Sequence, residues 1–127
     1  MPEAHEPRRQ FRQIVLRALG ELPPQFRQAL ENLDIEVRWR PTPGERRRAG
    51  LRPGHTLLGL YLGVPLPQRS SGYSMALPDK ILIYQEPHQR AGQTEAELVQ
   101  QVRRTLLHEI GHYLGIEEER LEELGLG

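Results

Sequence analysis

The residues of this chain that could do chemistry lie close together near its C-terminal end. His108, Glu109 and His112 form the pattern H-E-x-x-H. Residues four apart on a helix share one face, with Cβ atoms roughly 5–6 Å apart, so the two imidazoles can bind one metal ion. Two imidazoles favour zinc over magnesium or calcium because zinc is a borderline-soft ion. The pattern therefore predicts one bound Zn²⁺ per chain.

Glu109 follows His108 directly, and its side chain can reach a metal-bound water rather than the metal itself. In such a site zinc acidifies the water and polarises the scissile carbonyl. The glutamate takes the proton and passes it to the leaving amine. We therefore expect Glu109 to be the catalytic base of peptide-bond hydrolysis.

A third protein ligand is needed, and the sequence leaves its identity open. The chain has no cysteine, and no histidine follows His112. Gly115 can adopt the left-handed conformation that ends a helix, so that Glu118, six residues after His112, can swing back toward the metal. The competing candidates are other carboxylates of the tail and two distant histidines: Glu117, Glu119, Glu122, Glu123, His55 and His88.

Composition limits the class of protein. A length of 127 residues predicts a single domain over 1–127. With 17 basic and 17 acidic residues the formal net charge is zero, which gives no general attraction to nucleic acid or to an anionic membrane. The polar N-terminus and the lack of a long apolar segment predict a cytoplasmic protein with no membrane partner.

Hydrophobic periodicity predicts helices at both ends of the chain. The first runs from about Pro7 to Gly20, and a short second helix contains Phe26, Leu30 and Leu33. A capping box over 94–97 begins the helix that carries the H-E-x-x-H pattern, and Gly115 ends it. Its apolar face consists of Val99, Val102, Leu106, Ile110 and Tyr113. A last short helix is predicted over 117–124.

Three strands are predicted, over 35–40, 56–64 and 80–85. Alternation in the first strand places Ile35, Val37 and Trp39 on one face, and the apolar run of the second predicts an interior strand. Prolines and glycines predict loops, over 40–54 and over 66–79, the latter with Ser70, Ser71 and Gly72 at its centre. The expected fold is α+β, with the H-E-x-x-H helix packed on a three- to four-stranded mixed sheet.

The string H-E-x-x-H-x-x-G-x-x-E, from His108 to Glu118, resembles the metzincin pattern with its last histidine replaced by glutamate. The wider chain resembles the small bacterial zincin-like metallopeptidases, or minimal zincins, in "LPPQFRQALENLDIEV", "LPDKILIYQEP" and "HEIGHYLGI". The resemblance implies His108 and His112 as metal ligands, Glu109 as base and an acidic third ligand. It also implies that strand 80–85 is the sheet edge, beside the active-site helix, where an extended peptide docks.

The function expected from these observations is zinc-dependent endopeptidase activity on peptides or unfolded proteins. One alternative is a metal-binding module that holds a peptide strand at the sheet edge without cutting it. Only the enzyme needs Glu109 for turnover. A third hypothesis is nucleic-acid binding by the Arg46–Arg48 run. It predicts binding that depends steeply on salt concentration and does not change when metal is removed.

Overall fold

The computed structural model describes residues 5–51, 54–68, 79–90 and 93–124. The helices are α1 (His5–Gly20), α2 (Pro24–Ala29), α3 (Pro43–Arg48), α4 (Gln85–Gln89), α5 (Glu95–Leu114) and α6 (Glu118–Glu123). The strands are β1 (Leu33–Arg38), β2 (Gly59–Leu62) and β3 (Asp79–Tyr84). The predicted centre of the second loop, Ser70 to Gly72, lies outside the described residues.

The three strands form a mixed sheet in the order β1-β3-β2. β1 runs parallel to β3, with Leu33 opposite Asp79, and β2 runs antiparallel, with Gly59 opposite Ile83. The implied edge position of strand 80–85 is therefore wrong, because β3 is the central strand. Its residues 81–84 are all fully buried, which explains a continuous apolar run rather than an alternating one.

β2 is an edge strand, so the prediction of an interior strand over 56–64 is also wrong. Its apolar residues have another cause, since Gly59, Leu60 and Tyr61 are all buried. The strand packs directly against α5, which covers one of its faces. An edge strand covered by a helix needs the same apolar composition as an interior one.

The main core lies between α1, α2 and α5 and one face of the sheet. Phe11, Phe26, Ile81, Leu106 and Ile110 are completely buried there. Truncating such a side chain to alanine typically costs about 2–5 kcal/mol, so this layer holds α5 firmly on the sheet. The α+β prediction is confirmed, with the H-E-x-x-H helix packed on a three-stranded mixed sheet.

The opposite face of the sheet carries a smaller apolar cluster, around Leu82 and Tyr84. It is partly covered by residues that follow α3, a helix in the segment predicted to be a loop. That prediction is wrong because Thr42 and Glu45 form a complete capping box around Pro43. Proline at a first helical position begins a helix rather than breaking one.

Trp39 lies outside the core, against the prediction from strand alternation. β1 ends at Arg38, and Trp39 is 51% exposed. Its carbonyl accepts a hydrogen bond from the Glu86 backbone N–H at 3.0 Å, which joins the end of β1 to α4. Trp39 therefore no longer follows the strand alternation that includes Val37. None of the helices within the described residues combines the length and the apolar character needed to cross a membrane.

Candidate metal centre

α5 begins and ends where its sequence signals predict. The Thr94 hydroxyl accepts from the Glu97 backbone N–H at 3.2 Å, and the Glu97 carboxylate accepts from the Thr94 N–H at 3.0 Å. At the other end, Gly115 adopts a left-handed conformation with φ of 77°. A Cβ there would lie 2.3 Å from Pro67 Cγ. Both the backbone conformation and the space therefore require glycine at this position.

His108 and His112 lie on the solvent-facing side of α5, one turn apart. Their side chains are 35% and 49% exposed. The ring centroids are 4.7 Å apart, with the planes at 62°. Potential ligand atoms of His108, Glu109 and His112 all lie within 4.8 Å of one another. The structure thus brings the three residues of the pattern into one cluster that could hold a metal ion.

Glu109 differs from the two histidines because its side chain is only 8% exposed. Its Oε1 accepts a hydrogen bond from the Tyr61 backbone N–H at 2.9 Å and lies 3.4 Å from His112 Nδ1. The hydrogen bond to Glu109 raises the pKa of His112. The carboxylate is therefore held between the edge strand and the second histidine.

Glycine at position 59 allows β2 to come this close to α5. A Cβ on Gly59 would lie 2.6 Å from Thr105 Cγ2 and 3.4 Å from Glu109 Cγ. The shorter distance is below any ordinary contact, so a side chain at this position would push the strand away from the helix. Gly59 thereby keeps the Tyr61 N–H within reach of the Glu109 carboxylate.

Glu118 lies beside the cluster, at the first position of α6. Its Oε1 is 4.0 Å from His108 Nδ1, and its side chain is 68% exposed. The sharp turn at Gly115 brings α6 back along α5, as the sequence predicts. Of the competing carboxylates, Glu123 is instead paired with Arg120 at 3.0 Å.

The two distant histidines lie away from the cluster. His88 is fully buried, with Nδ1 2.7 Å from the Tyr84 carbonyl and Nε2 3.0 Å from the Thr105 hydroxyl. Burial lowers the pKa of His88, so the neutral ring donates from Nδ1 and joins β3 to α5. His55 lines a separate cavity with Arg40 and other residues. Both histidines are therefore set aside as ligands.

Two cavities meet at the cluster. The first has a volume of about 470 Å³ and reaches from His108, Glu109 and His112 to the C-terminal end of α3. The second, about 310 Å³, extends from His108 and Glu109 to Glu118. Sequence reasoning missed the contribution of α3 to the first cavity, and the Thr42-x-x-Glu45 pattern was the signal that could have found it.

An α+β fold in which an H-E-x-x-H helix packs against the edge strand of a small sheet defines the zincin class of metallopeptidases. The profile of the zincin-like metallopeptidase family matches residues 30–127, and the chain belongs to that family. A comparison with curated proteins gave no match. The expected resemblance is thus confirmed over most of the chain, including all the elements that form the site.

Proposed function

We propose that this protein is a zinc-dependent endopeptidase that acts on extended peptides or unfolded proteins. His108, His112 and Glu118 bind one zinc ion, and Glu109 is the general base. The observation that carries the proposal is the buried Glu109 carboxylate, fixed beside two half-exposed imidazoles. A carboxylate with only a surface role would have no need of a buried hydrogen bond to the sheet.

The residues present fit a catalytic zinc ion. Two imidazoles and one carboxylate are an established ligand set for catalytic zinc, which keeps a further position open. His108 and His112 already have the one-turn spacing for a shared ion. Glu118 is exposed and 4.0 Å from His108 Nδ1, which makes it the carboxylate that we propose as the third ligand.

When bound, zinc supplies Lewis acidity toward a water molecule and a carbonyl oxygen. Glu109 performs the proton transfers: its carboxylate accepts a proton and delivers it to the nitrogen of the leaving amine. The Tyr61 N–H donates to Oε1, which restrains the orientation of the carboxylate. Because the group is anchored before substrate arrives, no reorganisation is needed at the moment of transfer.

The position of β2 supports a peptide substrate. β2 is the edge strand nearest to α5, and residues of this strand line both cavities beside the cluster. A peptide in extended conformation can add to such an edge by backbone hydrogen bonds. This corrects the docking position implied by the sequence resemblance from β3 to β2.

The same edge strand also supports a metal-dependent peptide-binding module, which would use the histidines without turnover. The two functions differ in their need for Glu109. Glu109→Gln keeps the size of the side chain and one hydrogen-bond acceptor but removes the proton acceptor. Positioned acid–base groups commonly contribute about 10²–10⁴-fold in rate, so the variant is expected to lose nearly all cleavage.

The experiment begins with protein purified without added chelator and reconstituted with zinc. Metal analysis is expected to give one zinc per chain in wild type and in Glu109→Gln, and none in His108→Ala combined with His112→Ala. Cleavage of a broad peptide library is then measured by mass spectrometry for wild type and Glu109→Gln. Equal cleavage by the two proteins would show that Glu109 is not the base. Zinc-dependent peptide binding without any cleavage would establish the binding module instead.

A further inference from the structure

The three consecutive arginines of α3 have different environments. Successive residues of a helix are about 100° apart around its axis, so their side chains leave α3 in different directions. Arg46 donates from Nη2 to the His55 carbonyl at 2.7 Å, which ties the following segment to the helix. Arg47 is exposed. Arg48 lines the first cavity, together with the histidines and Glu109 of the candidate metal centre.

The charge of Arg48 is not compensated within the described part of the chain. The hydrogen bonds and ion pairs found there do not include its guanidinium. The acid nearest in sequence, Glu45, is engaged elsewhere. Its Oε1 accepts from the Tyr84 hydroxyl at 2.8 Å and from the Thr42 N–H at 3.1 Å.

These bonds of Glu45 also fix the position of Arg48. Tyr84 is fully buried in the central strand, and burial raises the pKa of its hydroxyl, which remains a donor to Glu45. Arg38 of β1 approaches the same carboxylate at 3.5 Å. A six-residue helix anchored to two strands presents Arg48 with less freedom than a loop would, and ordering a ligand-binding group in advance increases affinity.

The first cavity also has apolar side chains in its lining. Four of them are aliphatic: Ala49, Leu51, Leu57 and Leu60. Among the described residues that line the cavity, Glu109 is the acid, and its Oε1 already accepts from Tyr61. A substrate group in the first cavity is therefore exposed both to apolar side chains and to the positive charge of Arg48.

The second cavity has one more carboxylate in its lining than the first. Arg104 lines it, but so do both Glu109 and Glu118. Two carboxylates against one guanidinium disfavour an additional anion there. An anionic substrate group is therefore better accommodated in the first cavity than in the second.

We propose that Arg48 binds a carboxylate of the substrate peptide. The enzyme then prefers peptides with a carboxylate close to the cleaved bond. An acidic side chain supplies this carboxylate if the enzyme is an endopeptidase, and a free C-terminus supplies it if the enzyme is a carboxypeptidase. This inference rests on the proposed peptidase function, since it names the substrate class of the same site. Arg48 acts on specificity and takes no part in the proton transfers.

The test uses zinc-loaded protein and peptides in matched pairs. In one set, each Glu near the cleaved bond is replaced by Gln; in the other, a free C-terminus is replaced by its amide. For wild type we expect a higher kcat/KM for the acidic member in one of the sets, and that set identifies the source of the carboxylate. Arg48→Ala is expected to reduce this preference roughly fivefold or more, as for a charge-assisted pair at a partly exposed site.

Three variants sharpen the result. Arg48→Lys retains part of the preference, because the charge remains while the fork-shaped guanidinium is lost. Arg48→Glu reverses the preference toward the neutral peptide. Arg47→Ala changes a residue next to Arg48 that does not line the cavity, and it leaves kcat/KM unchanged for both peptides of each pair. The proposal is overturned if wild type shows no preference for the acidic peptides, or if Arg48→Ala shows the same preference as wild type. It is also overturned if the preference is lost in Arg104→Ala and not in Arg48→Ala.

Failure of the peptidase function is separated from failure of the subsite by a binding measurement. Fluorescence anisotropy of the labelled peptides is recorded with zinc-loaded Glu109→Gln, with and without Arg48→Ala. If wild type cleaves nothing, tighter binding of the acidic peptides that depends on Arg48 still supports the subsite. Equal binding of acidic and neutral peptides in both backgrounds rejects it whatever the outcome of the cleavage assay.

Discussion

α5 and α3 both begin with a threonine capping box, yet they are held in place by different forces. Thr94 and Glu97 cap a helix of twenty residues, ten of which are buried. Thr42 and Glu45 cap a helix of six residues, none of which is buried. α5 is fixed by its own apolar face, whereas α3 is fixed by the hydrogen bond between Glu45 and Tyr84.

The difference shows that a capping box marks where a helix begins but not what keeps it folded. Isolated helices shorter than about 12 residues are marginal in water, so α3 depends on the sheet beneath it. The functional roles follow the same division. α5 carries the residues proposed for metal binding and catalysis, and α3 carries the residue proposed for substrate selection.

The largest effect is expected from Glu118→Ala, which tests whether α5 is sufficient for the metal site. Loss of a group that only supports a metal ligand commonly costs 10–100-fold in metal affinity. Loss of a ligand should therefore weaken zinc affinity by roughly 100-fold or more. Competition with a zinc chelator measures the change, and Glu122→Ala, later on α6, should bind zinc like wild type. The reverse ranking of the two variants would move the third ligand to Glu122.

The next effect concerns the packing of β2 on α5. Gly59→Ala introduces a Cβ 2.6 Å from Thr105 Cγ2, and such overpacking typically costs about 1–3 kcal/mol. Denaturant unfolding should show this loss. In α3 the matched change Gly44→Ala meets nothing closer than 3.7 Å and is expected to stabilise by about 0.5–1 kcal/mol or leave stability unchanged. Equal effects of the two changes would show that β2 can move away from α5.

The two caps give a direct comparison of the helices. Thr94→Ala is expected to lower the free energy of global unfolding by about 1 kcal/mol. Thr42→Ala removes an equivalent hydrogen bond, but α3 can open locally while the rest of the chain stays folded. Its effect should appear as faster amide hydrogen exchange within 43–48, with a smaller change in global stability. A global loss as large as that of Thr94→Ala would show that α3 unfolds together with the core.

The smallest effect is a pH dependence of the attachment of α5 to the sheet. Burial lowers the pKa of His88 in the folded chain. In the unfolded chain the same side chain is protonated with an ordinary pKa of about 6.5. Its stabilising contribution is complete above the unfolded pKa and is lost as the pH falls from there through the folded pKa. Zinc-free wild type should therefore lose stability below about pH 6.5 more steeply than His88→Gln. Parallel curves would show that His88 is protonated equally in both states.

The pKa of His112 is raised, so its effect on stability changes with pH in the opposite direction to that of His88. This effect is present in both wild type and His88→Gln. The stabilising contribution of His112 in the zinc-free chain is complete below the unfolded pKa and is lost as the pH rises through the folded one. A histidine must be deprotonated to bind a metal. Because the pKa of His112 is raised, zinc affinity begins to fall at a higher pH, on acidification, than it would for an unperturbed histidine. The difference between wild type and His88→Gln isolates the buried group.

Local signals made the active-site helix predictable. The capping box, the apolar face and Gly115 all lie within one segment, and each acts on neighbouring residues. The segment over 40–54 contains an equally complete capping box, but its prolines, glycines and arginines lack an apolar period. The absence of that period led to the prediction of a loop. A single-domain chain, a cytoplasmic location and the absence of a nucleic-acid partner remain predictions.

The order of the strands was not predictable from the same signals. β2 and β3 both have apolar sequences, β2 because α5 covers this edge strand and β3 because apolar clusters cover both faces of the central strand. Periodicity reports burial but does not distinguish these two causes. Alternation placed Trp39 on one strand face with Ile35 and Val37, yet β1 ends one residue earlier, and the Trp39 carbonyl accepts a hydrogen bond from the Glu86 N–H.

The sequence by itself determined the spacing of His108 and His112, the position of Glu109 between them and the turn that brings Glu118 back. Each of these follows from helix geometry over a few residues. Only the tertiary structure decided that Tyr61 holds the Glu109 carboxylate, that β2 is the edge beside the site and that Arg48 enters the first cavity. The hydrogen bond between Tyr61 and Glu109 joins residues 48 positions apart, and the lining of the first cavity extends from Arg48 to His112. They depend on strand order and on helices packed against the sheet, which no local pattern encodes.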